Sequence, residues 1–435
     1  MTHRLLTEDF KETPFWWDAA PRPRVDDSRP PDEADVVVVG SGNVGLSAAL
    51  TLARGGCKVV VLDAEALGHG GSSRNAGYVG RTLWFKYGAL KQKLGVEAAK
   101  TLTEASGRAH DFVADLIERE QIACHFIDNG RFIPATSAAA YKKLEKDLDG
   151  MKRDGVEVDS WMLPRERQRE ELGSDLYHGG QVLCGTGQLH PGLYHLGLLE
   201  RVRSQGTTTI GFCPATAIER DGDRFKVTTP KGTIRTRDVV VATNGYTPKA
   251  TPWLRRRVVP VPAYMIATEP LAPETMKRLF PNFRTMIDIR RNPYWARPSH
   301  DGNRVLFGGQ TGMPKASLED KALAMHACLT QVFPELAETR LTHCWTGQVA
   351  FTFDMLPHTG QHDGIHYAMG FCAAGVPMGT YMGHKTAQRI LGDPDAATPF
   401  DGQPFPTRPF YTGHPWFLPL IVGYFNYMDR KLWKS

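Results

Sequence analysis

Cysteine is scarce and unpaired in this sequence: seven thiols, at positions 57, 124, 184, 213, 328, 344 and 372, are scattered over 435 residues without a Cys-x-x-Cys pair. That distribution offers no disulfide framework and no metal site, and it suits reduced, mostly buried thiols. A dominant charge is missing too. The 52 Lys and Arg stand against 47 Asp and Glu for a net +5, and Arg255-Arg256-Arg257 is the only compact basic triplet, so no nucleic-acid partner is expected. From Met1 to Asp35 charges mix with Pro21-Arg22-Pro23 and Pro30-Pro31, and no apolar stretch resembles a signal peptide. A cytoplasmic location is the expectation. There is no tandem repeat and no low-complexity segment. What is present is apolar material, 41% hydrophobic and 10% aromatic, enough for a large core and for two domains.

The strongest local pattern begins at Asp35-Val36-Val37-Val38-Val39, a β-branched run that enters Gly40-Ser41-Gly42-Asn43-Val44-Gly45 and then an Ala/Leu-rich stretch from Leu46 to Arg54. This order predicts strand, tight turn and helix. Gly40 makes the turn, Gly42 lets the backbone approach a pyrophosphate, and Gly45 allows the helix to lie close on the sheet. A second strand, Lys58 to Leu62, carries Asp63 and Ala64 at its tip, with Asp63 eighteen residues beyond Gly45. A carboxylate there accepts hydrogen bonds from ribose hydroxyls, so the spacing fits a non-phosphorylated adenine dinucleotide.

Which dinucleotide is decided by the segment that follows. Gly68-His69-Gly70-Gly71-Ser72-Ser73-Arg74-Asn75-Ala76-Gly77 is a second small-residue run, where a simple nicotinamide domain would continue into another helix. Its backbone amides suit a second phosphate and a flat ring, which points to FAD. Arg74 is read as a phosphate partner, with an ordinary surface arginine as the alternative.

With these residues in view, the sequence resembles the D-amino-acid-oxidase-like superfamily of FAD oxidoreductases, in the branch that contains gamma-glutamylputrescine oxidase. The resemblance covers most of the chain. It rests on Thr13-Pro14-Phe15-Trp16-Trp17-Asp18, Ser72 to Gly77, Gly187-Gln188-Leu189-His190-Pro191, Val239 to Tyr246, Tyr294-Trp295-Ala296-Arg297, Leu306-Phe307-Gly308-Gly309 and Gly370 to Val376, in that order. It implies further cofactor contacts at Ala217, at Ala242, Thr243, Asn244, Gly245 and Tyr246, and at Gly370, Phe371, Gly375, Val376 and Pro377. A Gly-rich helix start at that last site would stabilise negative charge on the reduced flavin.

The implied fold is an α/β FAD-binding Rossmann-like domain with an inserted α+β substrate domain. The FAD domain would be discontinuous, 1–89, 187–257 and 340–392, the substrate domain would be 90–186 and 258–339, and 393–435 would form an aromatic C-terminal tail. In that tail Pro415 to Met428 carries no charge and precedes Arg430, Lys431 and Lys434. Folding back onto the core or a partner subunit is the favoured reading, and lying on a membrane surface is the alternative.

The implied reaction is hydride transfer from the carbon beside an amine nitrogen to flavin N5, giving an imine that water hydrolyses. Tyr294 and Arg297 are the pocket candidates, and His190 is the candidate base. Amino-acid-oxidising relatives hold the α-carboxylate with an arginine after the segment resembling Trp345-Thr346-Gly347, where this chain runs Gln348-Val349-Ala350-Phe351-Thr352. The substrate is therefore expected to be an amine, a polyamine derivative or an N-alkyl amino acid. The alternatives are a sarcosine- or D-amino-acid-type oxidase and a flavin-carrying subunit of a membrane-docked dehydrogenase. No lysine stands in Arg304 to Gly308, where some relatives activate oxygen, so the electron acceptor is oxygen or a carrier. Non-covalent flavin is expected, with His69, Cys344 and Cys372 as the residual linkage candidates.

Overall fold

A computed structural model describes residues 4–309 and 316–432, with the side chains of 430–432 left aside. Lys434, and the side chains of Arg430 and Lys431, lie outside the described residues. The valine run folds as the strand Glu33–Val39, flanked in parallel register by Val59–Leu62 and by Gly232–Val241, so that Val38 faces Val61 on one side and Val240 on the other. Valine on both pleats is what a central parallel strand needs, because helices cover one face and strands or loops the other. The sheet continues through Thr208–Ile210 on one edge and through Arg224–Thr229 and Ala217–Asp221 on the other. Ile365–Met369 pairs in parallel with Gly232–Val241, and His358–His362 pairs with it in turn.

Helix Asn43–Arg54 lies on this sheet at contact distance, and the glycines explain why it can. A Cβ on Gly45 would stand 1.9 Å from the Gly40 carbonyl oxygen, and one on Gly383 would stand 2.2 Å from that of Val44, where helix Gly375–Leu391 crosses. Both obstacles are backbone, so neither position accepts a side chain.

The second sheet has nine strands, in the order Leu6–Lys11, Leu341–Thr352, Val258–Thr268, Val305–Gly309, Trp295–Pro298, Thr285–Ile287, Arg131–Pro134, Gly180–Leu183 and Ser160–Leu163. Its spine is the long antiparallel pair Val258–Thr268 and Leu341–Thr352. Helices Leu318–Val332 and Pro273–Leu279 cover one face through Met325, Leu329, Met276 and Leu279. The α/β architecture with an added mixed sheet is therefore as the sequence implied, but three boundaries move. Leu341–Thr352 belongs to the second sheet and not to a segment 340–392 of the first. Leu6–Lys11 pairs beside it, which removes it from 1–89. Helix Val96–Arg119, expected within 90–186 over the substrate, instead buries Ala99, Leu102, Ala105, Ala109 and Leu116 in the core of the first sheet. Its apolar stripe at helical spacing needed a partner, and the sheet's helices supplied one.

The C-terminal segment folds back. Tyr411 is buried and donates its hydroxyl to the Val258 carbonyl at 2.6 Å, and the helix Leu418–Leu432 follows. Asp429, also buried, accepts the backbone N–H groups of Arg291 and Asn292, while Asn292 donates to the Asn426 side chain at 2.9 Å. Among the described residues no helix is long and apolar enough to cross a membrane.

Candidate cofactor and substrate site

Between the two sheets lies a cavity of about 750 Å³, within the range of cofactor sites. One wall comes from the first sheet: the turn at Gly40, Gly42 and Asn43, then Asp63 and Ala64, then Gly71, Ser72, Arg74, Asn75 and Ala76, then Ala242, Thr243, Asn244 and Tyr246. Two helices point their N-termini into it, one at Asn43 and Val44 and the other at Gly375 and Val376 beside Phe371. Helix Gly375–Leu391 has no capping side chain and helix Asn43–Arg54 has only Ser72 Oγ on its first N–H, so the partial positive charge of each stays directed at the cavity. The Asn43 side-chain oxygen is buried without a partner, and a Cβ on Gly42 would sit 2.8 Å from Ser72 Oγ. An orphaned acceptor, a crowded glycine turn and two helix N-termini are what a dinucleotide's diphosphate and ribose would occupy. The residues fit the group.

The local bonding shows why these side chains stand where they do. Asp63 Oδ2 accepts from the Ser41 backbone N–H at 2.9 Å and from Ser41 Oγ at 2.5 Å, while Ser41 Oγ accepts from the Gly68 N–H. Burial pushes the Asp63 carboxyl upward and the Ser41 bonds oppose it. Ser72 Oγ accepts from the Asn43 N–H, and Asn75 closes its own loop by donating to the Gly71 and Ser72 carbonyls. Asn244 Oδ1 accepts from the Gly370 N–H at 2.9 Å, fixing the approach to the second helix. There Cys372 and Ala373 take φ of 47° and 72°, a left-handed pair uncommon outside functional loops.

Several sequence-derived candidates stand behind the wall and not on it. Ser41, Ser73, Gly45, Gly77 and Gly245 support the turns. Ser73, for instance, donates to the Gly68 carbonyl and accepts from Trp17 Nε1. Gly370 and Pro377 lie inside the approach and the helix body, where a Cβ on Gly370 would meet Thr352 at 2.2 Å. Ala217 is on a strand at the sheet edge, and the wall is formed instead by Cys213, Pro214 and Ala215, because the turn after Thr208–Ile210 hydrogen-bonds to Asp63 through the Cys213 N–H. Arg74 reaches the cavity with its guanidinium already engaged, donating to the His69 and Thr346 carbonyls and lying 4.4 Å from the Trp17 ring centre. It is thus a brace for the loop, not a free phosphate partner.

None of the three catalytic candidates lines the cavity wall. Arg297, 1% exposed, donates to the carbonyls of Ala76 (2.9 Å), Gly77 (3.4 Å), Leu189 (2.8 Å) and Pro298 (3.0 Å), stitching the flavin-loop segment to the second sheet. His190 is wholly buried and caps helix Pro191–Arg203, its Nδ1 accepting the Leu193 N–H at 3.1 Å, and burial pushes its pKa down to about 3. A neutral capping imidazole is not a base for the cavity. Tyr294 donates to Cys328 Sγ at 3.2 Å and stays off the wall that its neighbours Pro293 and Trp295 line. The Tyr294 ring packs instead against the core of the second sheet. Cys344 is likewise in the core of the second sheet, whereas His69 and Cys372 do reach the wall.

The wall facing the dinucleotide motif was not read from the sequence as such. Val259, Val261, Ala263 and Met265 of one long strand, Gln348 to Phe351 of its partner, and Tyr78, Trp84, Ile287, Arg291 and Trp295 complete it. Phe417, Leu418, Ile421, Val422 and Phe425 from the C-terminal helix close one side. Their charge-free, aromatic composition was the available signal, and it marked burial without naming the place.

The family model described as FAD dependent oxidoreductase, DAO, matches residues 35–389. The chain belongs to that family. As a whole-chain relative, this FAD-dependent oxidoreductase is 28% identical to the gamma-glutamylputrescine oxidoreductase of Escherichia coli over 401 residues, 91% of this chain and 93% of that one. It is 29% identical to a probable oxidoreductase OrdL of Haemophilus influenzae over 381 residues, 86% and 87% of the two chains. Among solved structures, the glycine oxidase of Geobacillus kaustophilus superposes with a TM-score of 0.70 at 21% identity, covering 87% of this chain and 99% of that one, which shows the shared fold. The cofactor is therefore FAD, and the protein is an enzyme of the oxidoreductase class.

Proposed function

We propose that this oxidoreductase oxidises the C–N bond of an amine whose reacting carbon bears no carboxylate, a polyamine derivative or an N-alkyl amino acid attacked away from its acid. The observation that carries the reading is the cavity wall itself. Among the described residues it contains two arginines: Arg74, engaged by His69 and Thr346, and Arg291, exposed at the rim. Between them the substrate-side wall is Val259, Val261, Ala263, Met265 and Val349 to Phe351, and a carboxylate buried there would lack a cation at a cost of several kcal/mol. When bound, FAD supplies the acceptor for the hydride leaving the carbon beside nitrogen. The chain supplies the rest. Its apolar wall excludes water around the amine, and the open N-terminus of helix Gly375–Leu391 favours the negative charge that reduction creates.

The test is anaerobic reduction of the purified holoenzyme by acylated and glutamylated diamines, N-alkyl amino acids, glycine, sarcosine and D-alanine, followed by air. The expected result is that the amines lacking a carboxylate on the reacting carbon bleach the flavin at least tenfold faster than glycine or D-alanine. Glycine or D-alanine as the best reductant would overturn the reading. Acid should release FAD intact, because the Cys372 thiol is pushed up to about 12 by burial and the Asn75 amide is fully engaged.

A further inference from the structure

Arg131 opens the strand Arg131–Pro134 and is 7% exposed, yet no hydrogen bond or ion pair with a described residue engages its side chain, and its Nε is buried without a partner. Its neighbour is aromatic: the guanidinium carbon lies 5.1 Å from the centre of the Tyr78 ring. That ring is a wall of the cavity, and its hydroxyl holds it in place against the Met286 and Ala296 carbonyls at 3.0 and 2.9 Å. Across the sheet Arg131 is in register with Thr285, whose hydroxyl is also buried and unpartnered. In-register neighbours present their side chains on one face, so two unsatisfied donors share a row. Gly80 packs against the guanidinium: a Cβ there would stand 3.0 Å from the Arg131 Nη2. Lys86, exposed at the surface, is a further cation whose charge is coupled to that of Arg131. Asp147 forms no ion pair with Lys86 and accepts the Gly88 N–H instead.

A buried guanidinium without a partner is costly, and a planar fork of donors matches the two oxygens of a carboxylate. We propose that Arg131 and Thr285, with Lys86 near by, form an anion subsite behind Tyr78 that takes a carboxylate carried on the substrate away from the oxidised carbon. This rests on the amine reading and deepens it. It also replaces Arg297, whose Nε and Nη1 are held by four backbone carbonyls.

The probe is glutarate, titrated into the oxidised holoenzyme and followed by flavin absorbance and calorimetry, with glutaramide as the uncharged control. Glutarate is expected to bind at least tenfold more tightly than glutaramide. Arg131→Gln should abolish that preference with FAD content unchanged, Arg131→Lys should restore part of it, and Thr285→Val should weaken it a few-fold. If Arg131→Gln does not fold, Gly80→Ala takes its place: its methyl crowds the guanidinium and should weaken glutarate alone. No preference for glutarate in the wild type, or an unchanged preference in Arg131→Gln or Gly80→Ala, would overturn the proposal. Glutarate bound through Arg131 with no amine able to reduce the flavin would leave the subsite standing and remove the amine reading.

Discussion

The two walls of the cavity are specified by different means. On the dinucleotide side the constraint is backbone against backbone: Gly45 faces the Gly40 carbonyl and Gly383 faces that of Val44, at distances no side chain tolerates. On the opposite side the constraint is side-chain chemistry: valines, alanine and methionine of Val258–Thr268 and a C-terminal helix, with Arg297 and Arg131 behind them, one held by four carbonyls and the other with its Nε unpartnered. A backbone constraint leaves a sequence pattern because only glycine meets it, whereas a hydrophobic wall accepts many sequences of similar volume.

The comparison predicts its own asymmetry. Gly42→Val should have the largest effect, since its branch displaces Ser72 Oγ from the Asn43 N–H and fills the turn; FAD content should fall below about a tenth of wild type while the far-ultraviolet circular dichroism is kept. Val261→Ala, on the opposite wall, should retain FAD. Equal loss in both, or in neither, would erase the distinction between the walls.

Arg297→Ala comes next. Four carbonyls lose a buried donor, so stability should drop by on the order of 3 kcal/mol, read from the denaturant midpoint, and FAD occupancy should fall with it. The KM of the loaded fraction should stay within about twofold. A large rise in KM with stability unchanged would return this residue to the substrate side.

Ending the chain after Thr412 tests the helix that closes the cavity. Removing Phe417, Leu418, Ile421, Val422 and Phe425 takes away one side of the apolar wall but none of the dinucleotide turn. FAD should remain, and KM should rise about tenfold, the equivalent of ~1.4 kcal/mol of binding. An unchanged KM would mean that the helix only covers the fold.

The legibility of the sequence follows the same division. Strand, glycine turn, helix and Asp63 could be placed to within a few residues, and Gly40, Gly42, Asn43, Asp63, Ser72 and Asn244 all reach the cavity. The family order of motifs located Gly370 to Val376 correctly at a helix start. Failures came where tertiary partners decide. His190 before a proline reads equally as a base or as a helix cap, and only the Leu193 N–H distinguishes them. Arg297 and Arg131 are both strand arginines in the sequence, one held by four backbone carbonyls and the other with its Nε unpartnered. Leu341–Thr352 joined the second sheet because its partner was Val258–Thr268, a pairing across more than seventy residues that periodicity cannot show.

The smallest expected effect concerns pH and sits where the two halves meet. His190 packs against Trp16 and His300, with ring centres 5.0 and 4.8 Å away, and its pKa is pushed down to about 3 by burial, then by the neighbouring His300. An unfolded histidine takes a proton near pH 6.5 and the folded one does not, so between these values the unfolded chain binds more protons. The stability from keeping His190 neutral is thus complete above pH 6.5 and is lost progressively as the pH falls towards about 3. His195, pushed down to about 3, and His343 and His384, pushed down to about 4, act in the same direction. His190→Asn keeps an acceptor for the Leu193 N–H and removes one of these titrations. The slope of unfolding free energy against pH between 6 and 4 should become shallower, by at most ~1.4 kcal/mol per pH unit. An unchanged slope would show that the proton taken up on acid unfolding belongs to the other histidines, and the cap would then be a purely structural contact between the two halves.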